Sequence, residues 1–216
     1  CITCCDAIVT WANRYADEAE RLANLAETTE KRRQELNKIA AICRKVPEYP
    51  AETFQEALQS EWFVYMFTRL EELVAGSLSL GRLDQILWPY YEKDIREGRI
   101  TRDEARELLE SVWVNLSEAL VILVSPAGGS FTEGYAHFEG VIIGGQKVDG
   151  SDATNDLSYL ILESKQGMPI TYPDLAVRIH AQTPEKFLHK VAEVIKDGQG
   201  YPKLLNDEEI VPMYLA

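Results

Sequence analysis

The segment Ser77-Leu-Ser79-Leu-Gly81-Arg82-Leu-Asp84-Gln85-Ile-Leu-Trp88-Pro89-Tyr90-Tyr91 constrains this chain more than any other. It sets a glycine, an arginine, an aspartate and a glutamine between an apolar helical pattern and an aromatic one, where a plain connection needs only Gly or Pro among solvated residues. Polar groups at such a junction cost desolvation unless each finds a partner. Arg82 and Asp84 are two residues apart, a spacing that does not face on a helix, so the pair is read as anchoring two elements around a turn at Gly81. Arg82, Asp84 and Gln85 then form a structural brace, the reading favoured by analogy with buried polar groups generally. The functional reading is that the brace holds Ser77 and Ser79 at the edge of a cavity.

Helical signals dominate the first half. A helical pattern runs from residue 3 to about 44, with Ile8, Trp11, Tyr15, Ala19 and Leu22 on one stripe and Leu36, Ile39, Ala40 and Cys43 on a later one. The charged turn Glu30-Lys-Arg-Arg33 between them reads as a solvated face. Pro47 and Pro50 end the pattern, and Thr53-x-x-Glu56 is a capping-box signature for a helix to about residue 74. Aromatic residues recur all round that helix, which predicts burial on most sides. Residues 86–95 read as a third helix, and Thr101-x-x-Glu104 caps a fourth to about residue 120.

Strand signals come later. Val121-Ile-Leu-Val124 fits a helix end or a buried strand equally. A glycine-rich loop spans 125–135, and residues 138–143 predict a strand ending in a turn at Gly144-Gly145-Gln146. Asn155 and Asp156 are N-cap candidates for a helix to about residue 165. Residues 175–179 alternate as a strand, with Arg178 and His180 opposite the aliphatic side chains. Thr183-Pro184 opens a helix with Thr as cap and Pro at the first position, and residues 200–207 read as a loop before a helical start at Asp207. The order gives an α/β fold, mainly helical over 1–120 and mixed strand and helix over 121–216.

Composition limits the function classes. The net charge of −13, from 22 basic and 35 acidic residues, opposes binding to nucleic acid or an anionic membrane and leaves small molecules or proteins as partners. No apolar run approaches bilayer length and no basic-then-apolar signal opens the chain, which favours the cytoplasm. Cys1, Cys4, Cys5 and Cys43 do not look like a disulfide framework, and no second Cys/His pair follows Cys1-x-x-Cys4-Cys5 at metal-ligand spacing. There is no Gly-x-Ser-x-Gly nucleophile, no His-Glu-x-x-His and no Walker lysine, and the three histidines, His137, His180 and His189, form no evident catalytic pair. The sequence starts on Cys1 and stops at Ala216 inside what reads as an element, so a fragment is expected.

Seven short motifs occur in an order that resembles the glycyl radical enzymes, the pyruvate formate-lyase-like lyases and dehydratases. They are Pro50-Ala-Glu-Thr-Phe54 with Leu58; Gly81-Arg82-Leu-Asp84-Gln85 with Pro89-Tyr90-Tyr91 and Asp94; Gly134-Tyr135-Ala-His-Phe138; Gly144-Gly145; Asp152-Ala-Thr-Asn155-Asp156-Leu-Ser158-Tyr159; Pro173-x-Leu175-x-Val177-Arg178; and Asn206-Asp207. Each is weak alone, and their order over Pro50 to Asp207 is specific. The resemblance implies the central part of a ten-stranded barrel of two five-stranded half-sheets, with an N-terminal helical layer over this stretch. It implies a glycyl radical, installed in the full-length protein by a radical S-adenosylmethionine activating enzyme, together with a homodimer and anaerobic metabolism. The family's thiyl cysteine, in a Gly-Cys-x-Glu motif, and its radical glycine are both missing from this sequence. The chain alone is therefore expected to bind no cofactor, supply no catalytic residue and be inactive.

The resemblance also implies two substrate-binding positions, Ser77 and Phe138, the first as a hydrogen-bonding hydroxyl and the second as an aromatic pocket wall. Polyol-type members resemble Asn-Gly-His-Ser before the Ser-x-Gly-Arg motif, whereas this chain has Val74-Ala75-Gly76-Ser77. A substrate hydroxyl buried there without a partner would cost about 1–3 kcal/mol, so a less polar substrate is favoured. The expected activity is radical C–C cleavage of a small organic molecule such as an arylacetate, with C–O, C–N or C–S cleavage left open. The alternatives are a non-catalytic scaffold and a ligand-binding domain unrelated to radical chemistry.

Overall fold

A computed structural model describes residues 2–71, 78–118, 140–168, 170 and 173–215. The chain divides into two compact units, Cys1–Glu71 and Glu72–Ala216.

The first unit contains helices α1 (Ile2–Ala23), α2 (Glu30–Lys45) and α3 (Phe54–Glu71). The single pattern expected over residues 3–44 is broken at 24–29, and the chain folds back as a hairpin. Ala12, Ala16, Ala19 and Ala23 form a buried stripe on α1 that shares a core with Leu36, Ala40 and Cys43 of α2 and Phe63 of α3. Small side chains let the helix axes approach, and the reversal is fixed by the Thr29 side chain, which accepts from Arg32 N as the N-cap of α2. Arg33 Nε also donates back to Ala23 O at 3.1 Å. The charged run Glu30–Arg33 is thus the first turn of α2. The capping box of α3 is present: Glu56 N donates to Thr53 Oγ1 and Thr53 N to Glu56 Oε2, both at 3.3 Å. The expected burial of α3 on most sides is found: Phe54, Ala57, Leu58, Phe63 and Tyr65 are buried at positions all round the helix, and only Val64 and Leu70 among residues 54–70 are exposed.

The second unit contains β1 (Ser79–Arg82), α4 (Leu83–Ile86), α5 (Trp88–Arg96), α6 (Arg102–Glu118), β2 (Gly140–Gly144), α7 (Asp156–Gln166), β3 (Asp174–Ile179), α8 (Glu185–Lys196), β4 (Lys203–Asn206) and α9 (Asp207–Leu215). The four strands form one parallel sheet in the order β1-β2-β3-β4. One face is apolar: Val141, Ile143, Leu175 and Val177 are buried, as are Leu109 and Trp113 of α6, Leu157 and Ile161 of α7, and Phe187 and Val191 of α8. At about 25 cal/mol per Å² of apolar surface, such burial is the main stabilising term. Two polar groups inside this core are satisfied by each other, Trp113 Nε1 donating to Ser164 Oγ at 2.9 Å.

Three local readings are corrected. Residues 203–206, read as loop, are strand β4, because pairing with β3 overrides a sequence without alternation. Helix α8 begins at Glu185 with Pro184 in the N-cap position, and the Thr183 hydroxyl instead accepts from His180 N at 2.8 Å. The third helix is two, α4 and α5, with Leu87 between them. The segments 121–124 and 125–135 lie outside the described residues.

Candidate functional site

All four strands are parallel, so their carboxyl ends gather at one edge of the sheet. The polar junction lies at that edge. Arg82, the last residue of β1, donates through Nη2 to Gly144 O at 2.6 Å and through Nη1 to Gln146 O at 2.9 Å. Asp84 in α4 accepts from Gly144 N at 2.8 Å and from Ser158 Oγ at 2.5 Å. Gln85 Nε2 donates to Ala153 O at 2.8 Å. From the other side, Asp207 accepts from Gln146 N at 2.9 Å and from Arg178 Nε at 2.6 Å.

The Gly144-Gly145-Gln146 turn is therefore held by its own polar groups. The N–H groups of Gly144 and Gln146 meet two carboxylates, their carbonyls meet one guanidinium, and Gly145 O accepts from Ala153 N at 2.9 Å. Such a turn needs glycine, since Gly144 (φ +70°) and Gly145 (φ +82°) both lie in the left-handed region. Space demands it too: a Cβ on Gly145 would stand 2.8 Å from Arg178 Cβ and 3.0 Å from Asp207 Oδ2. Backbone N–H groups of a turn can draw an anion, and here Asp84 and Asp207 take the Gly144 and Gln146 N–H groups.

Helix α7 is tied to the same network. Asn155 is its N-cap, accepting from Ser158 N at 3.1 Å while Ser158 Oγ accepts from Asn155 N at 3.1 Å. Asn155 does more than cap, because its Nδ2 also donates to Asp84 O at 3.1 Å. Nearby, His180 is buried with Nε2 3.0 Å from Asp152 Oδ1, and Gln182 N donates to its Nδ1 at 3.3 Å. A ring nitrogen that accepts carries no proton, so Nε2 holds it and donates to Asp152. This histidine is committed to its partners and not free as a base.

The electrostatics follow from burial. Asp84 is fully buried, and desolvation pushes its carboxyl above the usual range, against the opposing pull of the Gly144 N–H, the Ser158 hydroxyl and the nearby Gln85 and Arg82 side chains. Burial likewise lowers Arg82, helped by the neighbouring Arg178 cation and opposed by Asp84 and Asp207. Among the described residues, no group of three His, Cys, Asp or Glu side chains is placed to hold a metal ion.

The amino end of the sheet is different. Ser79 opens β1 and is exposed; its Oγ donates to Gly140 O at 3.0 Å and accepts from Gly81 N at 3.1 Å. It sits three residues before Arg82, roughly 10 Å along the strand at about 3.3 Å per residue. Ser77 and Phe138 lie outside the described residues. In sequence each precedes a paired residue by two, since Ser79 is the register partner of Gly140. The junction residues thus lie at the carboxyl ends of the strands while Ser79 lies at an amino end, and Ser79 Oγ bonds to Gly140 O and Gly81 N rather than to Arg82, Asp84 or Gln85.

Sequence reasoning singled out Arg82, Asp84 and Gln85 but not their partners Gly144, Gln146 and Ser158, nor the Arg178–Asp207 pair that holds the same turn. The signal for it was present, because Gly144-Gly145, Ser158, Arg178 and Asn206-Asp207 all recur among the seven ordered motifs.

Comparison with known proteins places this geometry. The family described as pyruvate formate lyase-like matches residues 1–216. An isethionate sulfite-lyase from Nitratidesulfovibrio vulgaris is 55% identical over 212 residues, covering 98% of this chain and 26% of the relative. An indoleacetate decarboxylase from Tractidigestivibacter scatoligenes is 34% identical, covering 98% and 24%. The solved structure of a Roseburia inulinivorans protein that carries out 1,2-propanediol dehydration superposes with a TM-score of 0.90 at 42% identity, covering 98% of this chain and 26% of that one. The chain spans about a quarter of the length of the relatives it matches.

Proposed function

The chain belongs to the pyruvate formate lyase-like family of glycyl radical enzymes, and from that premise we propose that the full-length protein is a lyase releasing sulfite from a small hydroxyalkanesulfonate such as isethionate. The observation that carries this reading is the identity of 55% to an isethionate sulfite-lyase, against 34% to an indoleacetate decarboxylase, over the same share of the chain. It favours the C–S cleavage that the sequence left open over the arylacetate first expected. The arylacetate remains the second reading, supported by the apolar Val74-Ala75-Gly76 before Ser77. The overall change is redox-neutral: the C–S bond of 2-hydroxyethanesulfonate breaks, sulfite leaves, and the two-carbon remainder is acetaldehyde.

In this reading the chain's own residues build and hold the cavity. Ser77 offers a hydroxyl to a substrate oxygen, and Phe138 gives shape and keeps water out. Arg82, Asp84 and Gln85 act as a brace at the carboxyl ends of the strands. The radical, where the full-length enzyme carries it, supplies hydrogen-atom abstraction. The cysteines of this chain do not fit that role: Cys4 and Cys5 are on an exposed part of α1, and burial pushes the Cys43 thiol up to about 11. Neither Gly-Cys-x-Glu nor an Arg-Val-x-Gly-Tyr-like motif occurs in the sequence. A radical S-adenosylmethionine activating enzyme, a homodimer and a cytoplasmic location complete the proposal. Among the described residues, no helix is long and apolar enough to cross a membrane.

The test is anaerobic assay of the activated full-length protein, with sulfite measured from isethionate and carbon dioxide from indoleacetate in parallel. Sulfite release with acetaldehyde in equal amount supports the proposal. Carbon dioxide release without sulfite overturns it in favour of the second reading.

A further inference from the structure

The sheet has a second face. Val141, Ile143, Leu175 and Val177 are buried on the helical side, so Ile142, Ala176 and Arg178 alternate to the other. Arg82 and Leu205 join them as the register partners of Ile142 and Arg178. At the carboxyl end of this face, Ile142, Arg178 and Leu205 line a cavity of about 480 Å³ together with Ile210, Val211 and Met213 of α9. Among the described residues, Arg178 is the one charged side chain in its wall. Small-molecule sites take this form, at roughly 300–1,000 Å³ with a mostly apolar lining and a few placed polar groups.

Arg178 is only partly used. Its Nε donates to Asp207 Oδ1 at 2.6 Å, and among the described residues its two Nη atoms have no partner. A guanidinium holds its donors in a planar fork that matches two oxygens of a carboxylate or sulfonate. The surroundings also leave positive charge uncompensated. Asp207 is shared, since it accepts from Gln146 N as well. Arg82, on the same face, donates to the carbonyls of Gln146 and Gly144, and its buried Nε has no partner among the described residues. Desolvation pushes the Asp84 carboxyl toward its neutral form, and burial and then the Arg178 cation lower Arg82. Among the described residues, the two guanidinium groups thus have one ion pair between them, Arg178 with Asp207. An anion on the free edge of Arg178 would supply the missing negative charge in a place partly sheltered from water.

We propose that this cavity binds a small organic anion, a carboxylate or sulfonate with an apolar body. The Nη edge of Arg178 takes the charged end, and Ile142, Leu205 and the α9 side chains take the body. The inference uses neither Ser77 nor Phe138 and stands whichever reaction the full-length protein carries out.

The test is calorimetric titration of the full-length protein, without radical activation, with 4-phenylbutyrate and its uncharged counterpart 4-phenylbutyramide. 4-Phenylbutyrate is expected to bind at least about tenfold more tightly than the amide, the scale of one charge-assisted bidentate contact. This comparison needs no variant. Met213 lines the cavity and is 67% exposed, so Met213→Glu sets a competing carboxylate in the wall that holds Arg178 without touching the Arg178–Asp207 pair. It is expected to weaken 4-phenylbutyrate about tenfold and the amide less than about twofold. Met213→Gln is expected to leave both ligands within about twofold of the parent, since it adds no charge. Equal affinity for acid and amide overturns the proposal, as does 4-phenylbutyrate binding that Met213→Glu leaves unchanged. Absence of 4-phenylbutyrate binding at millimolar concentration overturns it too, and means that another segment of the full-length chain fills the cavity.

Discussion

Asp84 is the residue whose replacement separates charge from hydrogen bonding most cleanly. Its carboxylate is fully buried and accepts from Gly144 N at 2.8 Å and Ser158 Oγ at 2.5 Å through the same oxygen. Asp84→Ala removes both bonds. Ser158 Oγ has a second acceptor in Asn155 Oδ1 at 3.4 Å, but the Gly144 N–H is orphaned. An orphaned buried donor costs about 1–3 kcal/mol, and the space left by the carboxyl adds to it, so a loss of about 2–4 kcal/mol is expected at this turn. Asp84→Asn keeps one oxygen in the accepting position and removes the buried charge. Because burial raises the Asp84 pKa, the folded state binds more protons than the unfolded state between the ordinary value of 3.8 and the raised one. The contribution to stability is thus full at low pH and falls as pH rises through the folded pKa, so Asp84→Asn should match the parent at low pH and equal or exceed it near neutrality. The assay is native-state hydrogen exchange of the backbone amides of residues 142–146 in the full-length protein. At about 1.4 kcal/mol per factor of ten, Asp84→Ala should speed exchange about 30- to 1,000-fold, with Asp84→Asn within about fivefold of the parent. Equal acceleration in both variants would refute the argument, because it would mean that the charge and not the accepting oxygen holds the turn.

Two further outcomes follow from buried groups. Gly145→Ala places a Cβ at φ +82° and 2.8 Å from Arg178 Cβ, so a loss of about 2–3 kcal/mol is expected; a thermal midpoint unchanged from the parent would contradict it. Lys165 is fully buried, donates to Ile170 O at 2.6 Å and lies 4.6 Å from the Tyr201 ring centre, and burial lowers its pKa from 10.5 to about 8. Between those values the unfolded state binds more protons, so stability should rise with pH from about 8 to about 10.5, by about 3 kcal/mol in all. The rise should be absent from Lys165→Met when the two unfolding curves are subtracted, and a parallel pH dependence in both would refute it.

Much of the local structure was legible because it is written in neighbouring residues. The capping boxes at Thr53/Glu56 and Thr101/Glu104 and the N-cap at Asn155 form bonds within three or four positions, and the alternation of 175–179 records a one-sided strand. The break between α1 and α2 was not legible, since an alanine stripe has the same period whether the helix continues or reverses. Strand β4 was missed because its four residues, three of them exposed and Leu205 half-buried, have no alternation of their own and are defined by pairing with β3. The junction at Arg82 and Asp84 announced itself as polar groups needing partners, but those partners lie 60 to 74 positions away. Separation of that size is also why the sequence could not show that the junction gathers the carboxyl ends of β1, β2, β3 and β4 around one turn.

In the proposed function Arg82, Asp84 and Gln85 hold the fold and Ser77 meets the substrate. The most direct measurement is kcat/KM for sulfite release, normalised to glycyl radical content, in full-length Ser77→Ala and Asp84→Asn. The account predicts a loss of about tenfold or more for Ser77→Ala, the scale of a hydrogen bond to substrate, and a change within about threefold for Asp84→Asn. A large loss for Asp84→Asn beside an unaffected Ser77→Ala would contradict it.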